Sequence, residues 1–150
     1  MTTTNDHPGR VMALDLGEKR IGIAISDPTR TIASPHSVLN RTSRAGDFAH
    51  YAQLIDEQRI TLLVVGLPIT LGGHEGQRAA WVRDYAEGLR DQIDIPIVFW
   101  DESLSTVEAT AALHAQGRRG RKVKDRVDAV AATLILQSYL DAQPGDALHG

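Results

Sequence analysis

The sequence predicts a single α/β domain built on a mixed five-stranded sheet with helices on both faces. Three observations carry this expectation. The first 40 residues hold three apolar runs joined by short polar connections, which reads as an antiparallel meander. From residue 45 onward, segments of helical periodicity alternate with short apolar runs, which reads as helical crossovers to parallel strands. The length of 150 residues suits one substantial core and is too short for two large lobes.

Each element has its own justification. Residues 1 to 9 read as a disordered leader, the domain as 10 to 142 and residues 143 to 150 as a flexible tail. Val11 to Leu16 and Ile21 to Ile25 form two strands of a hairpin, with Gly17 allowing the turn and Glu18-Lys19-Arg20 at its tip. Ile32 to Leu39 is the third strand, and Pro35 points to an edge position or a late start. Phe48, Tyr51, Ala52 and Ile55 repeat at helical spacing within 45–58, so that helix turns its polar side outward. Thr61 to Val65 is a short apolar strand. It runs into Gly66-Leu67-Pro68 and a glycine-rich loop at 69–76, the position where open α/β sheets bind ligands. Neither the Walker pattern nor the dinucleotide fingerprint fits that loop. Ala79, Val82, Tyr85, Ala86 and Leu89 mark the next helix. Pro96 to Trp100 reads as a strand buried on both faces, leading into Asp101-Glu102. Ser105 and Glu108 have capping-box spacing for a helix to about Gln116, and a last helix spans about Asp125 to Ala142.

Composition removes several function classes. With no cysteine there is no disulfide, thiolate metal site or cysteine nucleophile, and a reducing, cytoplasmic setting suits the chain. No run approaches the ~18 apolar residues of a membrane span. The net charge of −3 hides a strong asymmetry. Residues 118 to 126 hold six basic side chains (Arg118, Arg119, Arg121, Lys122, Lys124 and Arg126) against Asp125, a net of +5, so the rest of the chain carries −8. Such a segment fits a phosphate-contacting arm, although charge runs are more often solvated loops.

The chemistry is sought in the carboxylates. Asp15 interrupts an apolar strand, where an uncompensated charge costs several kcal/mol. Glu102 follows the last strand. In the final helix the apolar stripe is Val127, Val130, Ala131, Leu134 and Ile135; at ~100° per residue Asp128 lies at its margin beside Ile135, with Asp125 ~60° further toward solvent. A first-turn aspartate also suits the helix macrodipole, which accounts for Asp125 more readily than for Asp128. If the first and fourth strands are parallel neighbours, Asp15 and Glu102 reach one edge of the sheet, where Asp128 could join them. Such a cluster requires protons or a cation, and oxygen ligands select Mg²⁺ or Mn²⁺. The six histidines show no ligand spacing; His74 alone falls in the cleft loop. Carboxylates beside a basic arm point to metal-assisted phosphodiester hydrolysis, with Asp15 bridging and Asp125 assisting. Lys19 and Arg20 at the hairpin tip would meet the incoming phosphate.

The segments LDLGEKRIGIAISD, VVGLPITLGGHEGQRA, WDESLSTVEA and DRVDAVAATLILQSYL together resemble the YqgF/RuvX family from about Val11 to Leu140. The resemblance implies a ribonuclease H-like fold, a divalent-metal nuclease acting on Holliday junctions or on the 5′ end of pre-16S ribosomal RNA, and catalytic carboxylates at Asp15, Glu102 and Asp128. Two departures stand out: Ser103 where family members commonly carry Arg, and Asp125, which forms an Asp-x-x-Asp pair similar to that of RuvC. A junction resolvase is expected to be a two-fold homodimer. The rival readings are a non-catalytic binder of nucleic acid or ribosome and an actin-like nucleotide-binding protein, for which the chain is short.

Overall fold

Apolar alternation and turn chemistry generate the elements in the expected order. The structure, a computed structural model, describes residues 8–69, 75–104 and 123–143, except the side chains of 104 and 123–128. Strands β1 (Arg10–Leu16), β2 (Arg20–Ser26) and β3 (Ala33–Asn40) precede helix α1 (Arg44–Gln58) and strand β4 (Ile60–Leu67). Helix α2 (Gln77–Arg90), strand β5 (Ile97–Asp101), a 3-10 turn (Glu102–Leu104) and helix α3 (Val123–Asp141) follow. The helix expected near residues 105–116 lies outside the described residues.

The sheet order is β3-β2-β1-β4-β5, with β1–β2 and β2–β3 antiparallel and β1–β4 and β4–β5 parallel. Successive side chains of a strand point to opposite faces, so β1 serves two cores. Met12, Leu14 and Leu16 join Phe48, Tyr51, Leu54, Val82, Tyr85 and Leu89 under α1 and α2. Val11 and Ala13 join Ala24, Leu62, Val64, Ala132, Ile135 and Leu136 under α3. Asp15 continues the second series and therefore stands on the α3 face. β3 is an edge strand, as Pro35 requires, because a residue without an N–H is tolerated there.

Three sequence expectations are corrected. β5 is not buried on both faces: only Ile97 is fully buried, because β5 is the other outer strand and has a single neighbour. α3 buries more than a stripe. Ala129, Val130, Ala132, Thr133, Leu134, Ile135 and Leu136 are all covered, whereas Ala131 is partly exposed. In α1 the acid Asp47 is buried beside Phe48 and Tyr51, so its first turn is not polar-side-out.

Asp47 is kept inside by partners just before its helix and by one distant in sequence. Its carboxylate accepts from the Thr42 backbone N–H at 3.0 Å and from the Tyr85 hydroxyl at 3.0 Å, and the Tyr85 and Tyr51 hydroxyls lie 2.9 Å apart. Nε of Arg41 lies 4.0 Å from it. At the far end of the sheet, Arg30 adopts a left-handed conformation with φ of 60°. Its guanidinium donates to the carbonyls of Gly9 and Pro8 and to the Thr61 hydroxyl, which fastens the chain at Pro8.

Candidate active site

The site begins with the hairpin. Asp15 pairs with Gly22 across β1 and β2, and Gly17 closes the turn by donating its N–H to the Arg20 carbonyl at 2.9 Å. A Cβ on Gly17 would stand 2.6 Å from that carbonyl oxygen, so a bare α-carbon is needed for the turn that holds Asp15. The parallel register sets Leu14 opposite Val65, which brings Gly66 beside Asp15, and Gly66 in turn pairs with Trp100 of β5. Two residues past Trp100, Glu102 opens the 3-10 turn. A methyl group on Gly66 would lie 3.2 Å from both Cγ and Oε1 of Glu102 and 2.6 Å from Cδ1 of Ile135. Gly66 is thus the floor on which the Glu102 carboxylate rests, with Ile135 of α3 closing over it.

Half-burial of Glu102 and then the charge of Asp15 push its carboxyl above the ordinary range; Arg78 opposes them and Asp101 adds a smaller push. The coupling places Asp15 and Glu102 in one electrostatic environment at the carboxyl-terminal edge of β1, β4 and β5. Together they provide oxygen donors suited to a hard divalent cation. Among the described residues, no group of three or more acidic, histidine or cysteine side chains is close enough to hold a metal ion.

The other predicted residues are distributed as follows. Asp125 and Asp128 belong to the first two turns of α3, and Asp128 precedes Ile135 by two turns; their side chains lie outside the described residues. Lys19 and Arg20 are exposed at the hairpin tip. Arg118, Arg119, Arg121 and Lys122 lie outside the described residues; so does His74, and so does the side chain of Lys124. Ser103 turns back on its own strand: its N–H and hydroxyl both donate to Oδ1 of Asp101, at 2.9 and 2.7 Å.

Two arginines at the site were not singled out from the sequence. Arg78 donates from Nη2 to the Leu16 carbonyl at 2.8 Å, one residue after Asp15. A signal existed, because a cation in the first turn of a helix opposes the macrodipole and calls for another reason to be there. Arg41 donates to the carbonyls of Gly17 at 3.3 Å and Glu18 at 2.9 Å, and its guanidinium lies 4.6 Å from the ring centre of Trp81. Glu18, Arg41, Gln77, Arg78 and Trp81 line an open cleft of about 520 Å³, and Arg78 is also the cation whose charge acts on Glu102.

The family model RuvX, described as Holliday junction resolvase, matches residues 9–142. A protein of Roseiflexus sp. (strain RS-1), named as a candidate pre-16S rRNA nuclease, is 45% identical over 139 residues, covering 93% of this chain and 99% of the relative. A protein of Thermoanaerobacter pseudethanolicus with the same name is 42% identical, covering 89% and 97%. Among solved structures, T. thermophilus RuvC in complex with Holliday junction substrate superimposes with a TM-score of 0.61 at 14% identity, covering 91% of this chain and 96% of that one. The yeast mitochondrial Holliday junction resolvase Ydc2 gives 0.57 at 12% identity, covering 93% and 80%. At such identities the two structures speak for the ribonuclease H-like fold alone.

Proposed function

We propose, from the premise that the chain belongs to the RuvX family, that this nuclease hydrolyses phosphodiester bonds in structured nucleic acid with Mg²⁺ or Mn²⁺ held by Asp15, Glu102, Asp128 and Asp125. The observation that supports this reading is the meeting of Asp15 and Glu102 beside the bare α-carbon of Gly66. Two carboxylates ~4 Å apart repel by about 4 kcal/mol at an effective dielectric near 20, and a shared cation relieves that repulsion. When bound, a divalent ion supplies a Lewis acid for the phosphate and activates water near neutral pH. The protein's own contribution is positional. β1 holds Asp15 rigidly, Gly66 leaves room for Glu102, and Arg78, which lines the cleft, supplies positive charge that acts on Glu102.

The substrate proposed first is precursor 16S ribosomal RNA, the substrate named for relatives at 42–45% identity. A four-way DNA junction is the second, favoured by the Asp125-x-x-Asp128 pair and the family description. The basic segment 118–124 would hold the phosphate backbone, with Lys19 and Arg20 assisting. On the junction the protein would act as a homodimer. Among the described residues no helix is long and apolar enough to cross a membrane, and the reading places the nuclease in the cytoplasm as one domain over residues 10–142.

The test is side-by-side cleavage of a precursor rRNA fragment and a four-way junction, with Mg²⁺ and with Mn²⁺. Asp15→Asn is expected to abolish cleavage of either substrate while leaving binding in place; an undiminished rate in that variant would sink the assignment.

A further inference from the structure

Arg78 links the carboxylate pair to a feature that the metal chemistry leaves unused. The cleft between the β1–β2 turn and the first two turns of α2 is lined by two guanidiniums, one indole, one amide and one carboxylate. Gln77 and Trp81 are four residues apart on α2 and so share a face with their neighbour Arg78. Arg41 reaches the cleft from the chain between β3 and α1, fastened by the carbonyls of Gly17 and Glu18, with its guanidinium carbon 4.6 Å from the Trp81 ring centre. An anchored guanidinium set over an indole is the kind of planar, cationic and aromatic surface on which unstacked bases lie. Arg78 is exposed, is anchored to the Leu16 carbonyl through Nη2, and is near enough to Glu102 to oppose the rise in its pKa. The cleft volume of about 520 Å³ falls within the ~300 to 1,000 Å³ typical of small-ligand pockets.

We propose that this cleft is a nucleotide subsite that takes one unpaired nucleotide next to the scissile phosphate, its phosphate on Arg78 and its base on the Arg41–Trp81 pair. The assignment rests on the nuclease reading above and adds a selection rule to it. A base inside a duplex keeps its stacking partners and cannot enter, so the substrate must present a single-stranded or splayed nucleotide at that position. Glu18 and Gln77 at the rim supply acceptors and a donor for sugar hydroxyls and base edges.

The reporter is built in, because Trp81 lines the cleft and the only other tryptophan is Trp100. In a Trp100→Phe background, with metal removed by chelator, the full-length protein is titrated with a single-stranded pentanucleotide, as RNA and as DNA, and with its duplex. Saturable quenching of Trp81 by the single strands is expected, with at least ~10-fold weaker response to the duplex. Arg78→Gln should raise the single-strand Kd by at least ~10-fold, and Arg78→Lys should recover part of the loss. Absent quenching, equal quenching by the duplex, or a Kd unmoved by Arg78→Gln would overturn the subsite. Cleavage by the Trp100→Phe protein is measured in parallel with metal restored. Cleavage without quenching removes the subsite and leaves the nuclease reading standing, whereas absence of cleavage by the wild-type chain on every substrate removes that reading.

Discussion

Gly66→Ala is a sharp probe of the site because the added group is a single methyl. In a strand where a side chain fits, replacing Gly by Ala stabilises by about 0.4 to 1 kcal/mol by restricting the unfolded chain. At position 66 the new Cβ would stand 2.6 Å from Cδ1 of Ile135 and 3.2 Å from Cγ and Oε1 of Glu102. Ile135 is 3% exposed and packed among Leu62, Val64 and Leu136, so it has little room to rotate away. Overpacking of this kind costs about 1 to 3 kcal/mol, which exceeds the entropic gain and reverses the sign. For 150 residues each kcal/mol is about 2 to 4 °C in Tm, so a fall of a few degrees is expected. The catalytic effect should be larger, since displacing a positioned carboxylate by ~1 Å costs about 100-fold in kcat. Ile135→Val removes the clashing carbon and alone costs about 0.5 to 1.5 kcal/mol. Combined with Gly66→Ala it should cost less than the sum of the two, by about 1 kcal/mol, while kcat stays low because Glu102 is still pushed. Thermal melts and single-turnover cleavage measure both. A Gly66→Ala protein that melts higher than wild type and cleaves at the wild-type rate would refute the geometry.

Three further outcomes follow, two from the structure and one from the basic segment of the sequence. Burial raises the pKa of Asp27, but hydrogen bonds from the Ile32 N–H, the Thr29 hydroxyl and the N–H groups of Thr31 and Thr29 outweigh it and lower the carboxyl to about 2. A depressed folded pKa contributes stability above the unfolded value of 3.8 that is lost as pH falls through about 2; urea midpoints should show Asp27→Asn less stable than wild type at pH 5, with the gap narrowed to about a third at pH 2.5. Tyr85→Phe deprives the buried Asp47 carboxylate of a donor and should cost about 1 to 3 kcal/mol in urea unfolding, and a value under about 0.3 would mean that the Tyr51–Tyr85–Asp47 chain carries no load. Neutralising Arg118, Arg119 and Arg121 should weaken substrate binding and reduce the slope of log Kd against log salt by roughly 0.7 to 0.9 for each phosphate that the arm no longer neutralises. An unchanged slope would remove the arm from the interface.

How far the site could be read in advance depended on whether a residue conflicts with its own neighbours in sequence. Asp15 does: a charge after Val-Met-Ala-Leu violates the strand's pattern, and the element order then suggested a shared sheet edge with Glu102, whereas its neighbour Gly66 came only with the register. Asp47 does not. It sits where any exposed first-turn acid would, and its burial follows from Tyr85, 38 residues away, which no local pattern links to it. Arg41 and Arg78 escaped for a similar reason, since an arginine in a loop or helix start is ordinary until the carbonyls of Leu16, Gly17 and Glu18 are known to receive it. β5 misled because an edge strand and a central one can share the same apolar composition; neighbour count, which decides burial, belongs to topology.

The clasp formed by Arg30 has a practical side. Arg30 fastens Pro8 and Gly9 to Thr61, at the start of β1 and β4, whereas Asp15 stands six residues further along the chain from Gly9. At ~3.4 Å per residue, the polypeptide joins the sheet roughly 20 Å from the carboxylates. A dye, affinity handle or surface tether attached upstream of Pro8 is therefore connected through the pole of the domain opposite its chemistry. Single-molecule cleavage could be watched on immobilised protein from that side with the cleft left open to substrate.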